Sequence, residues 1–135
     1  MIVSPTFGEY EAAASMYCKK VEFFTTLNLE SDLQNLIKKI PKNGLIFVCN
    51  PNNPTGQLLP RKSMIKLLDA VKTRSSILFV DESFIELTQN QKESVAGLVN
   101  KYQNLFVLRS MTKSFGLAGL RLGYVLSNKK FKKIN

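Results

Sequence analysis

Four short apolar segments constrain the fold of this chain more than any other feature. Each is nearly unbroken in apolar character, as strands buried on both faces are, and they cover residues 45–49, 77–80, 105–108 and 122–126. Other apolar residues keep the three-and-four spacing of amphipathic helices, namely Leu33, Leu36, Ile37, Ile40, Met64, Leu67, Leu68 and Val71. The alternation of strands and helices predicts an α/β fold with a mostly parallel sheet and flanking helices.

Length and cysteine usage narrow the class of protein. The 135 residues fit one ordinary domain, without an apolar run near the roughly 18–20 residues of a membrane span and without a signal-peptide pattern at the start. Cys18 and Cys49 stand far apart, and the chain has no histidine. This argues against a zinc site or a disulfide scaffold and favours a reducing, cytoplasmic setting.

The net charge of +9 raises the question of a nucleic-acid partner. Lysines cluster near the end of the chain at Lys129, Lys130, Lys132 and Lys133. No aromatic residues interleave with this cluster, and no known binding motif accompanies it, so a solvated helical face is the favoured interpretation. We therefore expect neither a nucleic-acid nor a membrane partner, whereas an anionic, phosphate-bearing substrate is compatible with the charge.

Polar residues with reactive or ligand-binding side chains follow three of the predicted strands. An amide-rich turn at residues 50–56 follows the first, Asp81 follows the second, and Ser110 and Lys113 follow the third, with Arg121 eight residues beyond the lysine. Ligands of open α/β sheets bind beyond the carboxyl ends of the strands. An amide-rich turn, a carboxylate and a Ser/Lys/Arg group are therefore predicted to converge on one edge of the sheet.

These motifs resemble those of fold-type-I pyridoxal-phosphate enzymes, within the group of histidinol-phosphate aminotransferase and threonine-phosphate decarboxylase. The resemblance is carried by the Asn-Pro-Thr-Gly turn, the Asp at a strand end, and the Ser-x-x-Lys motif followed by Arg. It runs from the Pro-Thr-Phe segment at Pro5 to Tyr124. It implies that residues 1–135 are the central part of a large cofactor-binding domain and that the cofactor is pyridoxal 5′-phosphate.

The resemblance implies that Lys113 is the catalytic residue and that both Lys113 and Asp81 bind the cofactor. Lys113 would form a Schiff base with the cofactor aldehyde and, once released, would shuttle the proton at the substrate α-carbon. Asp81 would pair with the pyridine nitrogen and keep it protonated, so that the ring withdraws electrons from the α-carbon.

Four further residues would bind the cofactor by the same resemblance. Ser110 and Arg121 would bind its phosphate, the arginine through its planar fork of donors. Asn53 would donate from its amide to the 3′-oxygen of the ring, and Phe7 would stack on the ring face. The Asn53–Pro54 peptide bond is a candidate cis bond, because such bonds occur in tight functional turns.

One position departs from the pattern of many aminotransferases of this kind and leaves the reaction open. They carry a tyrosine that donates to the 3′-oxygen where this chain has Phe84. Residues 81–86 are more similar to the decarboxylase branch, whereas residues 116–121 are more similar to the histidinol-phosphate branch. Both branches use phosphorylated amino acids or amino alcohols, and a substrate of this class is therefore expected. The expected reaction is either transamination or decarboxylation.

The second departure is length. Members of the family are much longer, and relative to them the N-terminal arm and the C-terminal small domain are absent. Such enzymes are typically homodimers, which is the expectation for the full-length form. We expect the 135-residue piece alone to bind cofactor weakly and not to turn over substrate. A non-catalytic basic binding module that retains the fold is the alternative from a different functional class.

Overall fold

Six strands form one sheet at the centre of the protein, which a computed structural model describes over residues 1–130. The strands are β1 (Ile2–Ser4), β2 (Phe23–Thr25), β3 (Leu45–Cys49), β4 (Ile77–Asp81), β5 (Leu105–Ser110) and β6 (Gly123–Ser127). Their order across the sheet is β2-β1-β3-β4-β5-β6. All neighbouring pairs are parallel except β5 and β6, which are antiparallel.

Within residues 1–130, four α-helices and four single 3₁₀ turns connect the strands. The helices are α1 (Glu9–Tyr17), α2 (Leu29–Lys39), α3 (Arg61–Thr73) and α4 (Met111–Ser114). The 3₁₀ turns are Ile85–Leu87, Gln91–Glu93, Ala96–Leu98 and Ala118–Leu120. A mostly parallel sheet with flanking helices, the predicted fold class, is confirmed. None of the helices within residues 1–130 is both long and apolar enough to cross a membrane.

The two faces of the sheet are covered by different helices. On β3, Ile46 and Val48 belong to the main core together with the buried residues of α2 and α3. The alternate residues Phe47 and Cys49 pack instead with Ile2, Tyr10 and Ala14. Because successive strand residues point to opposite faces, α1 covers one face and the pair α2 and α3 covers the other.

The sequence patterns located the long elements and missed the short ones. The helical spacing predicted α2 and α3, whereas the three-residue strands β1 and β2 and helix α1 were not predicted. The interpretation of residues 122–126 as a strand buried on both faces was wrong. Tyr124 and Val125 of β6 point to opposite faces of the sheet and are both exposed, because among the described residues of β6 only Leu126 packs against a core cluster. Lys132 and Lys133 of the predicted lysine cluster lie outside the described residues.

Candidate active site

One cavity lies beyond the carboxyl ends of β3, β4 and β5, with a volume of about 230 Å³. All six predicted site residues line it, namely Phe7, Asn53, Asp81, Ser110, Lys113 and Arg121. Its remaining lining residues are Tyr10, Cys49, Ser83, Phe84 and Thr112. Parallel strands that end at one edge of the sheet bring these residues together, as the order of the motifs along the chain predicted.

Asp81 supplies a buried carboxylate at the base of the cavity. It is the last residue of β4 and is 7% exposed. The Tyr10 phenol donates a hydrogen bond of 2.5 Å to Oδ2, and the Ser83 backbone N–H donates one of 2.8 Å to Oδ1. A carboxylate oxygen has room for more than one hydrogen bond, so Asp81 keeps acceptor capacity for a ligand.

Two neutral groups border this carboxylate. Burial, followed by the proximity of Cys49 and Asp81, raises the pKa of Tyr10 above its usual range. The phenol therefore stays protonated at neutral pH and acts as the donor to Asp81. Burial is also the main cause that raises the pKa of the Cys49 thiol, which donates a hydrogen bond of 3.2 Å to the Pro51 carbonyl. A raised pKa argues against a nucleophilic role for Cys49.

Lys113 lies on the turn that follows β5. The side chain of Ser110 accepts a hydrogen bond of 3.3 Å from the Thr112 backbone N–H and thereby caps α4. The Ser110 hydroxyl also lies 2.8 Å from that of Thr112. Among residues 1–130 no carboxylate forms an ion pair with the Lys113 amine, so the amine is available to a ligand.

The turn that carries Asn53 is fixed by a buried amide. Asn50 donates a hydrogen bond of 3.1 Å to the Leu59 carbonyl and accepts one of 2.7 Å from the Leu59 N–H. Asn52 donates one of 2.9 Å to the Pro5 carbonyl and so joins this turn to the segment before Phe7. The Asn53–Pro54 peptide bond is cis, as the sequence predicted.

Phe7 and Arg121 approach the cavity from the segments after β1 and before β6. Phe7 is 47% exposed, so it is not a residue of the described core. Its ring and that of Tyr10 pack in a T-shaped arrangement at a centroid distance of 5.9 Å. Arg121 has a backbone φ of 51°, a left-handed conformation that is uncommon outside glycine and that clusters at functional sites.

A buried charged network beside the cavity was not predicted from the sequence. Glu82 is 0% exposed, and Arg109 donates to it through Nε at 2.9 Å. The Ser94 hydroxyl and the Val95 N–H donate to the same carboxylate, each at 2.7 Å. Arg109 also pairs with Glu86. The network connects the end of β5 to the loop after β4. Its one signal in the sequence is that an acidic residue, Glu82, directly follows Asp81 and a basic residue, Arg109, directly precedes Ser110.

The combined donor set fits a planar, phosphorylated ligand with a ring nitrogen and a group that reacts with an amine. The buried carboxylate suits a protonated ring nitrogen, and a guanidinium with a neighbouring hydroxyl suits a phosphate. The exposed aromatic ring suits stacking, and the lysine amine suits covalent attachment to a carbonyl. Fold and site together define an α/β protein with a polar cavity at the carboxyl ends of its parallel strands.

The chain belongs to the family of class I and II aminotransferases, whose model matches residues 1–134. It is similar to a histidinol-phosphate aminotransferase of Francisella philomiragia, with 42% identity over 130 residues, 93% of this chain and 35% of that protein. The chain therefore spans about a third of the length of this relative.

Two solved structures share the fold at appreciable sequence identity. One is the histidinol-phosphate aminotransferase from Clostridium acetobutylicum, with a TM-score of 0.84, 33% identity and coverage of 96% of this chain and 39% of that one. The other is L-threonine-O-3-phosphate decarboxylase from Porphyromonas gingivalis, with a TM-score of 0.78, 31% identity and coverage of 96% and 38%.

Proposed function

We propose that the whole protein to which residues 1–135 belong acts as a pyridoxal-phosphate-dependent aminotransferase on a phosphorylated amino substrate, in the manner of histidinol-phosphate aminotransferases. The observation that carries the proposal is the convergence of Phe7, Asn53, Asp81, Ser110, Lys113 and Arg121 on one cavity. The 42% identity to a histidinol-phosphate aminotransferase supports the substrate class. In this proposal residues 1–135 form part of the large cofactor-binding domain.

Two residues would act on the reacting atoms. When bound, pyridoxal phosphate supplies a ring that withdraws electrons from the substrate α-carbon. Asp81 would accept a hydrogen bond from the ring nitrogen and favour its protonated form, because an adjacent carboxylate stabilises a positive charge. Lys113 would hold the cofactor covalently and, once substrate has replaced it, would move the proton at the α-carbon.

The other predicted residues would bind and orient the cofactor. Ser110 and Arg121 would hold the phosphate, Asn53 would donate to the 3′-oxygen, and Phe7 would stack on the ring. Phe84 also lines the cavity and offers that oxygen no donor, because its side chain carries no polar atom.

Replacing Arg121 with methionine is expected to weaken the binding of pyridoxal phosphate by roughly tenfold or more, since a charge-assisted hydrogen bond contributes about 1.5–3 kcal/mol. Binding of pyridoxal, which lacks the phosphate, should stay unchanged. Equilibrium dialysis with both compounds measures the two affinities, and the exposed Arg74 provides the matched control Arg74→Met. An equal loss for both compounds would show that Arg121 does not bind the phosphate.

Decarboxylation of a phosphorylated amino acid is the second candidate function. Phe84 at the cavity wall favours it, as does the 31% identity to L-threonine-O-3-phosphate decarboxylase. A chimaera tests the choice, because this chain covers only 35% of the Francisella relative. Residues 5–124 would replace the matched segment of that aminotransferase, with the same chimaera carrying Lys113→Ala as the control.

The proposed function predicts that the chimaera consumes histidinol phosphate as an amino donor and that the Lys113→Ala chimaera does not. Release of carbon dioxide from threonine phosphate would support the decarboxylase instead. A chimaera that folds and binds cofactor but performs neither reaction would contradict both assignments of substrate.

We further propose a cytoplasmic location and a homodimeric full-length form. Cys18 and Cys49 are free thiols, which suits a reducing compartment. An apolar surface for a partner subunit is supported by exposed side chains between residues 115 and 125, namely Phe115, Leu120, Leu122, Tyr124 and Val125. Size-exclusion chromatography with light scattering measures the oligomeric state of the protein.

A further inference from the structure

Tyr10 is a buried polar residue that the sequence motifs did not single out. It lies in the first turn of α1, and its ring stacks on Phe47 at a centroid distance of 5.7 Å and an interplanar angle of 13°. Phe7 also contacts it in a T-shaped arrangement, at a centroid distance of 5.9 Å and an interplanar angle of 79°. Because aromatic contacts hold the ring, its hydroxyl has a defined position at the wall of the cavity.

That hydroxyl is aimed at the carboxylate of Asp81. Its hydrogen bond to Oδ2 measures 2.5 Å, while the Ser83 N–H binds Oδ1 at 2.8 Å. Two donors on two different oxygens fix the plane of a carboxylate, which a single donor leaves free to rotate about the Cβ–Cγ bond. Tyr10 and Ser83 together therefore set the direction in which Asp81 presents its remaining acceptor capacity.

The Tyr10 phenol is also protonated at neutral pH, as a hydrogen-bond donor to Asp81 must be. The ionisable groups that face the phenol are Asp81 and Cys49, and burial, with these two neighbours, raises the pKa of Tyr10. The phenol therefore remains a donor to the carboxylate at neutral pH.

We propose that Tyr10 is a positioning residue of the cofactor site, which holds the Asp81 carboxylate in the orientation that binds the ring nitrogen of pyridoxal phosphate. This role rests on the proposed function, because it requires that Asp81 bind that nitrogen. It differs from a packing role in one respect. A packing role concerns the aromatic ring alone, whereas the positioning role concerns the hydroxyl.

The variant Tyr10→Phe separates the two roles, since it keeps the ring and removes only the hydroxyl. Its matched control is Tyr17→Phe, on the same helix, where the tyrosine is 87% exposed. Two probes are compared on each protein by equilibrium dialysis. One is pyridoxal phosphate, and the other is its analogue with a C–H group in place of the ring nitrogen.

The proposal predicts that Tyr10→Phe lowers the affinity for pyridoxal phosphate by roughly tenfold, by analogy with the loss of residues that orient metal ligands. The affinity for the analogue should stay unchanged, because the analogue has no ring nitrogen for Asp81 to bind. The variant Tyr17→Phe should bind both probes as the unaltered chain does.

Three outcomes would overturn the proposal. An equal loss for both probes in Tyr10→Phe would show that the phenol acts through packing of the pocket, and no loss for either would show that it is dispensable. In both cases the unaltered chain still prefers the probe with the ring nitrogen, and the proposed function stands. An unaltered chain that shows no such preference would instead contradict the role of Asp81, and with it the proposed function.

Discussion

Replacing Arg109 with methionine is expected to lower the free energy of unfolding by about 3–5 kcal/mol, the usual effect of removing one partner of a buried ion pair. The Glu82 side chain is 0% exposed and that of Arg109 is 14% exposed. Methionine fills part of the space of the arginine stem but leaves the Glu82 charge buried without its cationic partner. The Ser94 hydroxyl and Val95 N–H remain as donors and compensate only in part.

Urea denaturation followed by circular dichroism measures this change, with the exposed Arg74→Met as the matched control. The double variant Arg109→Met/Glu82→Leu should recover part of the loss, because it no longer contains a buried unpaired charge. A change in Arg109→Met no larger than about 0.5 kcal/mol, the usual range of surface substitutions, would show that the network does not stabilise the fold.

The same network connects stability to the candidate site. Arg109 immediately precedes Ser110, and its partner Glu86 accepts a hydrogen bond of 3.4 Å from the Ser114 hydroxyl. The turn that carries Lys113 is therefore bound at both ends to the loop after β4. Loss of Arg109 should loosen this turn as well as destabilise the chain.

Replacing Asp81 with asparagine is expected to weaken the binding of pyridoxal phosphate by a factor of about 30 or more, which corresponds to the 2–5 kcal/mol lost when one partner of a buried charge pair is removed. Asparagine has nearly the same shape and keeps an acceptor oxygen, so the fold should persist. It carries no charge, however, and does not stabilise a protonated ring nitrogen. Equilibrium dialysis at neutral pH measures the affinity.

The matched control is Asp69→Asn. Asp69 also accepts a hydrogen bond from a tyrosine, Tyr102 Oη, at 2.8 Å, but it lies on α3 and does not line the cavity. This variant should bind pyridoxal phosphate as the unaltered chain does. Equal affinities of Asp81→Asn and Asp69→Asn for pyridoxal phosphate would show that Asp81 does not bind the cofactor.

The fold could be predicted where local sequence patterns are strong. The spacing of Leu33, Leu36, Met64 and Leu67 identifies the buried faces of α2 and α3, and unbroken apolar runs identify β3, β4 and β5. The strands β1 and β2 have three residues each, too few for a pattern to emerge. The burial of β6 was predicted wrongly, because an apolar run carries no information on whether other elements pack over the faces of its strand.

The candidate site could likewise be predicted only in part. The convergence of Asp81 and Lys113 was predicted because their motifs follow strands, and the ends of parallel strands share one edge of the sheet. The roles proposed for the two residues came from the resemblance to a known family. The contact between Tyr10 and Asp81 joins residues 71 positions apart, and the pair of Arg109 and Glu82 joins residues 27 positions apart. Such contacts depend on how strands and helices pack, which no local pattern encodes.

The central claim, that this cavity holds pyridoxal phosphate with Lys113 as the attached residue, is tested most directly by chemical mapping. The chain is incubated with pyridoxal phosphate and reduced with borohydride, and its peptides are analysed by mass spectrometry. We predict that the label lies on Lys113 and that the Lys113→Ala variant loses it. Label scattered over exposed lysines such as Lys101 and Lys129, and unchanged in Lys113→Ala, would contradict the claim.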